Sequence, residues 1–121
     1  MRLFFLIAAP ILFLTTICRA DAFLAGLEDV PIMPGIEVVG DAGAAFDSPA
    51  GRIVEAYAAG DVTRKAVRDY YQTALPQLGW VRTGVLIFSR DGEKLTIELL
   101  GESAPVTVRF ELAPVSKESA K

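Results

Sequence analysis

The chain has no histidine and only one cysteine in 121 residues. The first absence removes the side chain that most often moves protons near neutral pH. It also removes the imidazole base on which serine and cysteine nucleophiles usually depend. A Ser–Lys pair would be the fallback. However, Ser89 and Lys94 flank a hairpin turn and Ser103 is loop-borne, outside any S-x-x-K or nucleophile-elbow context. Metal ligands are reduced to carboxylates, and no Asp-x-Asp-x-Asp-Gly loop occurs. Asp41, Asp47, Asp61 and Asp91 stand singly near glycine or proline, where aspartate serves as a turn residue. No glycine-rich phosphate loop is present, since residues 40–43 (Gly-Asp-Ala-Gly) neither follow a clear strand nor open a helix. Basic residues are in deficit, 12 against 15 acidic. That argues against nucleic acid, whose binding rests on cationic contacts to phosphate. We therefore expect no catalytic, metal or cofactor-binding residue, and a protein that is not an enzyme.

What is present begins at the N-terminus. Arg2, an apolar run over residues 3–17 and the junction Cys18-Arg19-Ala20 have the form of an export signal, with cleavage before Asp21. The run is shorter than the roughly 20 residues needed to cross a bilayer as a helix. Lipid attachment at Cys18 is disfavoured by the β-branched Ile17 before it, and a retained membrane anchor is the other alternative. Cleavage at Ala20 would remove Arg2, Arg19 and Cys18, leaving 101 residues with no thiol and ten basic against fifteen acidic side chains. The expected location is periplasmic or secreted, with membrane contact only through the uncleaved signal or weak head-group attraction. A mature chain of this size fits one small domain.

Four regions are expected: the signal over 1–20, an extended arm over 21–35, one domain over 36–115 and a mobile polar tail over 116–121. Pro31 and Pro34 forbid a continuous helix in the arm. Its Phe23, Leu24, Leu27, Val30, Ile32 and Met33 should lie against the domain and not face water. Short strands are predicted over 36–39, 44–47 and 52–58, with turns at 40–43 and 48–51.

One helix stands out. Thr63 is a suitable N-cap, and Val67, Tyr70, Tyr71, Ala74, Leu75 and Leu78 recur at helical spacing. Gly79 is placed for a left-handed C-terminal turn, and Pro76 predicts a kink or an early end near Ala74, with a looser turn carrying Leu78 inward. Afterwards the period becomes two. Residues 80–89 predict a strand in which Gly84 marks a bulge or a splitting turn, Asp91-Gly92 a hairpin turn, and 93–100 and 106–112 two half-buried strands. The fold class that follows is α+β: an antiparallel sheet of four to five strands with one helix on one face, in the order strands, helix, three strands.

Three groups of residues are candidates for a surface that meets a partner or ligand. Arg64, Lys65 and Arg68 crowd the first turns of the helix, where the macrodipole disfavours cations. They read either as a solvated face or as a basic patch for an anionic partner. Tyr70 and Tyr71 point about 100° apart on a helix, so one packs inward while the other borders the core. Trp80 either closes the core edge or lines a groove, and Phe88 would flank a ligand held near Tyr71 and Trp80. Glu98, Glu111 and Arg109 on neighbouring strands read as a cross-strand charge ladder in preference to a catalytic carboxylate pair.

Residues 30–35 (VPIMPG), 46–57 (FDSPAGRIVEAY) and 70–80 (YYQTALPQLGW) resemble small exported proteins of proteobacteria, mainly alphaproteobacteria. The resemblance spans most of the chain beyond residue 20. It implies an envelope location and no particular chemistry, because those proteins have no assigned activity. Tyr70 stands where Phe is frequent in that group. The leading expectation is a non-enzymatic exported domain that binds or scaffolds an envelope protein, or self-associates, through an edge strand, Trp80 and the helix N-terminus. The alternative is a carrier of a small apolar ligand held between helix and sheet, which requires a cavity of a few hundred Å³.

Overall fold

The computed structural model describes residues 23–24, 26–40 and 43–115. The expected signal, the centre of the 40–43 turn and the polar tail lie outside the described residues. Asp91 and Gly92 have φ of 51° and 79°, the left-handed pair that a two-residue hairpin needs. They join β7 (Ile87–Arg90) to β8 (Glu93–Leu100), which pairs in turn with β9 (Val106–Pro114). β9 then pairs along β5 (Gly51–Gly60). The far side of β5 is shared: β4 (Ala44–Ser48) takes its first half and β3 (Ile36–Val38) its second. At the opposite edge, β6 (Val81–Arg82) pairs with β7. All these pairings are antiparallel, and the strands form one seven-stranded sheet.

The α+β class is as expected, but the detail differs in count and order. Four strands follow the helix where three were predicted. The predicted 80–89 strand is two, because the Thr83 and Gly84 amides both donate to the Ile87 carbonyl (2.8 and 3.2 Å) and fold β6 back on β7. The segment predicted as an extended arm contains a small hairpin of β1 (Phe23–Leu24) and β2 (Leu27–Pro31). Gly26 turns it with φ +80°. Gly60 also has no substitute, since a Cβ there would lie 2.0 Å from the Gly35 carbonyl oxygen.

The helix α1 (Arg64–Gln77) begins where Thr63 Oγ1 accepts from the Ala66 amide at 3.0 Å. It ends in a Schellman turn: the Gly79 amide donates to Pro76 O and the Trp80 amide to Leu75 O, with Gly79 at φ +90°. Pro76 therefore does not end the helix at Ala74: α1 runs on to Gln77 and closes with this turn. The same turn swings Leu78 outward, 42% exposed, where periodicity alone predicts it inward. Val67, Tyr71 and Leu75 form the buried stripe.

α1 and the β1–β2 hairpin lie on the same face of the sheet. Tyr71 joins them: its hydroxyl donates to Pro31 O (2.9 Å) and accepts from the Met33 amide (3.3 Å), while its ring meets Phe110 edge-on at 5.4 Å. Leu24, Leu27 and Val30 complete the core with Phe88, Leu95, Val106, Val108, Phe110 and Leu112. Arg90 ties the C-terminal end of α1 to the hairpin. It donates to Leu78 O at 2.9 Å, pairs with Asp29 and lies 4.6 Å over the Trp80 ring.

Candidate functional site

Alternation along β8 and β9 gives the sheet a covered face and an open one. On the open face, Arg109 sits between three carboxylates, Glu111 at 2.6 Å, Glu55 at 3.2 Å and Glu98 at 3.4 Å. The Tyr57 hydroxyl donates to the other oxygen of Glu55 at 2.5 Å. These bonds stabilise each charged group. The Tyr57 hydroxyl, then Arg109, hold the Glu55 carboxyl below its ordinary range. Glu111, then Glu55, push the Arg109 guanidinium further up. Glu98 and Glu111 thus form the cross-strand ladder, joined through Arg109. Among the described residues, no three carboxylates are grouped to hold a metal ion.

The site with room for another molecule lies elsewhere, at the edge of the sheet. β7 covers β8 only as far as Thr96, after which the chain before Ile87 curls away. A groove of about 530 Å³ opens there between the first half of α1 and the sheet. Arg64 and Arg68 line it from α1, Val85 and Ile87 from the chain leading into β7, and Ile97, Glu98 and Leu99 from β8. Val85 is 64% exposed and Ile87 37%, so apolar surface faces water beside two guanidinium groups.

Of the six residues singled out from sequence, the structure brings only Arg64 and Arg68 to this groove. Arg64 Nη1 donates to the carbonyls of Leu99 (3.1 Å) and Gly101 (2.7 Å). That contact explains how a cation is held at a helix N-terminus against the macrodipole. Lys65 turns to Asp69 in an i, i+4 pair. Tyr71, Phe88 and Trp80 belong to the core and not to a surface, at 0%, 0% and 4% exposure. They are buried because hairpin and helix together close over the sheet. Tyr70 is the bordering ring, edge-on to Tyr71 at 5.0 Å.

Sequence reasoning missed Val85, Ile87 and Leu99. The run Val85-Leu86-Ile87-Phe88 is apolar without alternation, so period two assigns no face to it. The one available signal was Gly84, which marks where the strand breaks and the apolar run loses its cover. No protein-family model, curated protein or solved structure matches this chain. No helix among the described residues is long and apolar enough to cross a membrane.

Proposed function

We propose that the chain is an exported, non-enzymatic domain that binds or scaffolds a protein of the cell envelope, and that the partner docks in the groove where β8 runs past the end of β7. The supporting observation is the coincidence of an uncovered strand edge, exposed Val85 and Ile87, and Arg64 and Arg68 at one place. Strand edges recruit extended segments by main-chain pairing, and adjacent pockets select their side chains. Export is part of the same reading, with processing behind Ala20, in keeping with the likeness to small exported proteobacterial proteins. A second copy of the chain is the weaker choice of partner, because the processed chain carries ten basic against fifteen acidic residues and would repel itself.

The second reading, carriage of a small apolar ligand, draws support from the groove volume, which is in the range of small-molecule sites. It would place the ligand on Val85, Ile87 and Leu99.

A photo-crosslinking residue placed at Val85, with Pro49 as control, tests the reading in cells. One adduct of defined mass from Val85 and none from Pro49 is expected. Unmodified chain from both positions overturns protein docking at the groove. The intact mass of the same material should begin at Asp21, and a full-length chain in the cytosol overturns export.

A further inference from the structure

We infer that the groove receives the C-terminal end of an extended partner segment, added antiparallel to β8 with its free carboxylate on Arg68. This rests on the docking reading above and specifies the partner's chemistry.

The argument starts from the alternation of backbone bonds. Arg90 and Glu93 close a two-residue hairpin, so the β8 positions that bond toward β7 are Glu93, Leu95, Ile97 and Leu99 in turn. The Ile97 amide still finds the Leu86 carbonyl at 3.0 Å. At Leu99 the neighbouring chain has gone, because the amides of Thr83 and Gly84 are committed to Ile87 O. Arg64 takes the carbonyls of Leu99 and Gly101, the next two positions of the same series. Its guanidinium stands where the amides of a further strand would stand, guarding the edge while it is empty.

The direction of entry follows. A strand added antiparallel at Leu99 runs the same way as β7, and Leu86 and Ile87 already hold the edge ahead of it. An internal segment has no forward path along the sheet, whereas a chain end needs none. Arg68 is placed for that end. Arg64, Arg68 and Gln72 form one row of the helix at i, i+4 spacing. The row starts beside Leu99 and ends where Gln72 Nε2 donates to Val85 O at 2.6 Å. Arg68 lies between, lines the groove, and takes part in none of the ion pairs among the described residues. The groove's own carboxylate, Glu98, is paired with Arg109 at 3.4 Å. The Arg68 guanidinium beside Ile97 and Leu99 suits an incoming carboxylate by paired hydrogen bonds, and Val85 and Ile87 would receive the last apolar side chain.

The test uses hexapeptides randomised at their last four positions, made as free acids and as amides, and selected against the isotope-labelled chain. Selection from the free-acid pool alone is expected, with an apolar last residue and shifts at the amides of Val85, Ile87 and Leu99. Arg68→Ala should weaken the selected peptide roughly tenfold or more with an unchanged thermal midpoint. Equal selection from both pools at the same amides overturns the chain-end inference and leaves groove docking standing. So does selection from neither pool while Val85 still crosslinks a protein in cells. If decanoate alone shifts these amides and Val85 crosslinks no protein, both fail and ligand carriage replaces them.

Discussion

β9 carries two unlike surfaces one residue apart. Val106, Val108, Phe110 and Leu112 are buried under α1 and the β1–β2 hairpin, while Thr107, Arg109 and Glu111 look out from the uncovered face. The covered face gains stability from area removed from water, at about 25 cal/mol per Å², so it tolerates little change in volume. The open face gains from charges that satisfy one another around Arg109 and remain in reach of water, where exposed ion pairs contribute little. Around Arg109 the outward residues of the sheet are polar and mutually paired, and bare apolar groups stand toward both edges, Val81, Val85 and Ile87 on the β6–β7 side and Val38, Val39 and Phe46 on the β3–β4 side.

Substitutions on the two faces should separate sharply. Phe110→Ala removes a fully buried ring, and a loss of about 3–5 kcal/mol is expected, read as a lower denaturant midpoint at unchanged slope; Thr107→Ala, three residues earlier on the outward side of the same strand, should change that midpoint hardly at all. Tyr71→Phe keeps the ring and deletes the hydroxyl that serves Pro31 O and the Met33 amide. About 1–3 kcal/mol should be lost, since both backbone groups are left unpaired. Burial raises the Tyr71 phenol above its ordinary value of 10. Its contribution is therefore whole below pH 10 and declines as pH rises further, and alkaline titrations of Tyr71→Phe should lack that decline. Arg90→Ala, which releases Leu78 O and the Trp80 ring, should cost about 1–2 kcal/mol, seen as faster amide exchange in the β1–β2 hairpin.

Smallest is the open face. The depressed Glu55 carboxyl favours the folded state above its ordinary value of 4.5, an advantage lost as pH falls below it. Glu55→Gln should lower the neutral-pH midpoint only slightly and flatten the acid limb by the same small amount. A drop at neutral pH comparable to that of Tyr71→Phe would show that the two faces are not as different as described.

Much of this division was legible. Period two in 93–100 and 106–112 assigned every residue of β8 and β9 that the structure buries, and Asp91-Gly92 placed the hairpin between β7 and β8. Thr63 and Gly79 marked the two ends of α1. Two local rules misled. Pro76 predicts a shortened helix, but the donors of the Schellman turn lie beyond it, and Leu78 continues the apolar stripe only if the helix continues too. The proline-bounded stretch before Gly35 excluded a helix correctly. Nothing local announced that it would pair with itself and bury Leu24, Leu27 and Val30, because that depends on the vacancy beside α1. The groove was half legible: Arg64 and Arg68 drew notice as cations at the wrong end of a helix, while its apolar wall lay hidden in an unpatterned run.

By itself the sequence determined the α+β class, the inward sides of β8 and β9, the start of α1 and its capping glycine, and the absence of histidine. Those are set by spacing and residue type, which act over a few neighbours. Tertiary structure alone decided that Tyr71, Trp80 and Phe88 would be core, that Arg109 would gather three glutamates, and that β8 would outrun β7 to leave an edge beside Arg64 and Arg68. These depend on which distant segments meet and how far each extends, and no short stretch of chain carries that information.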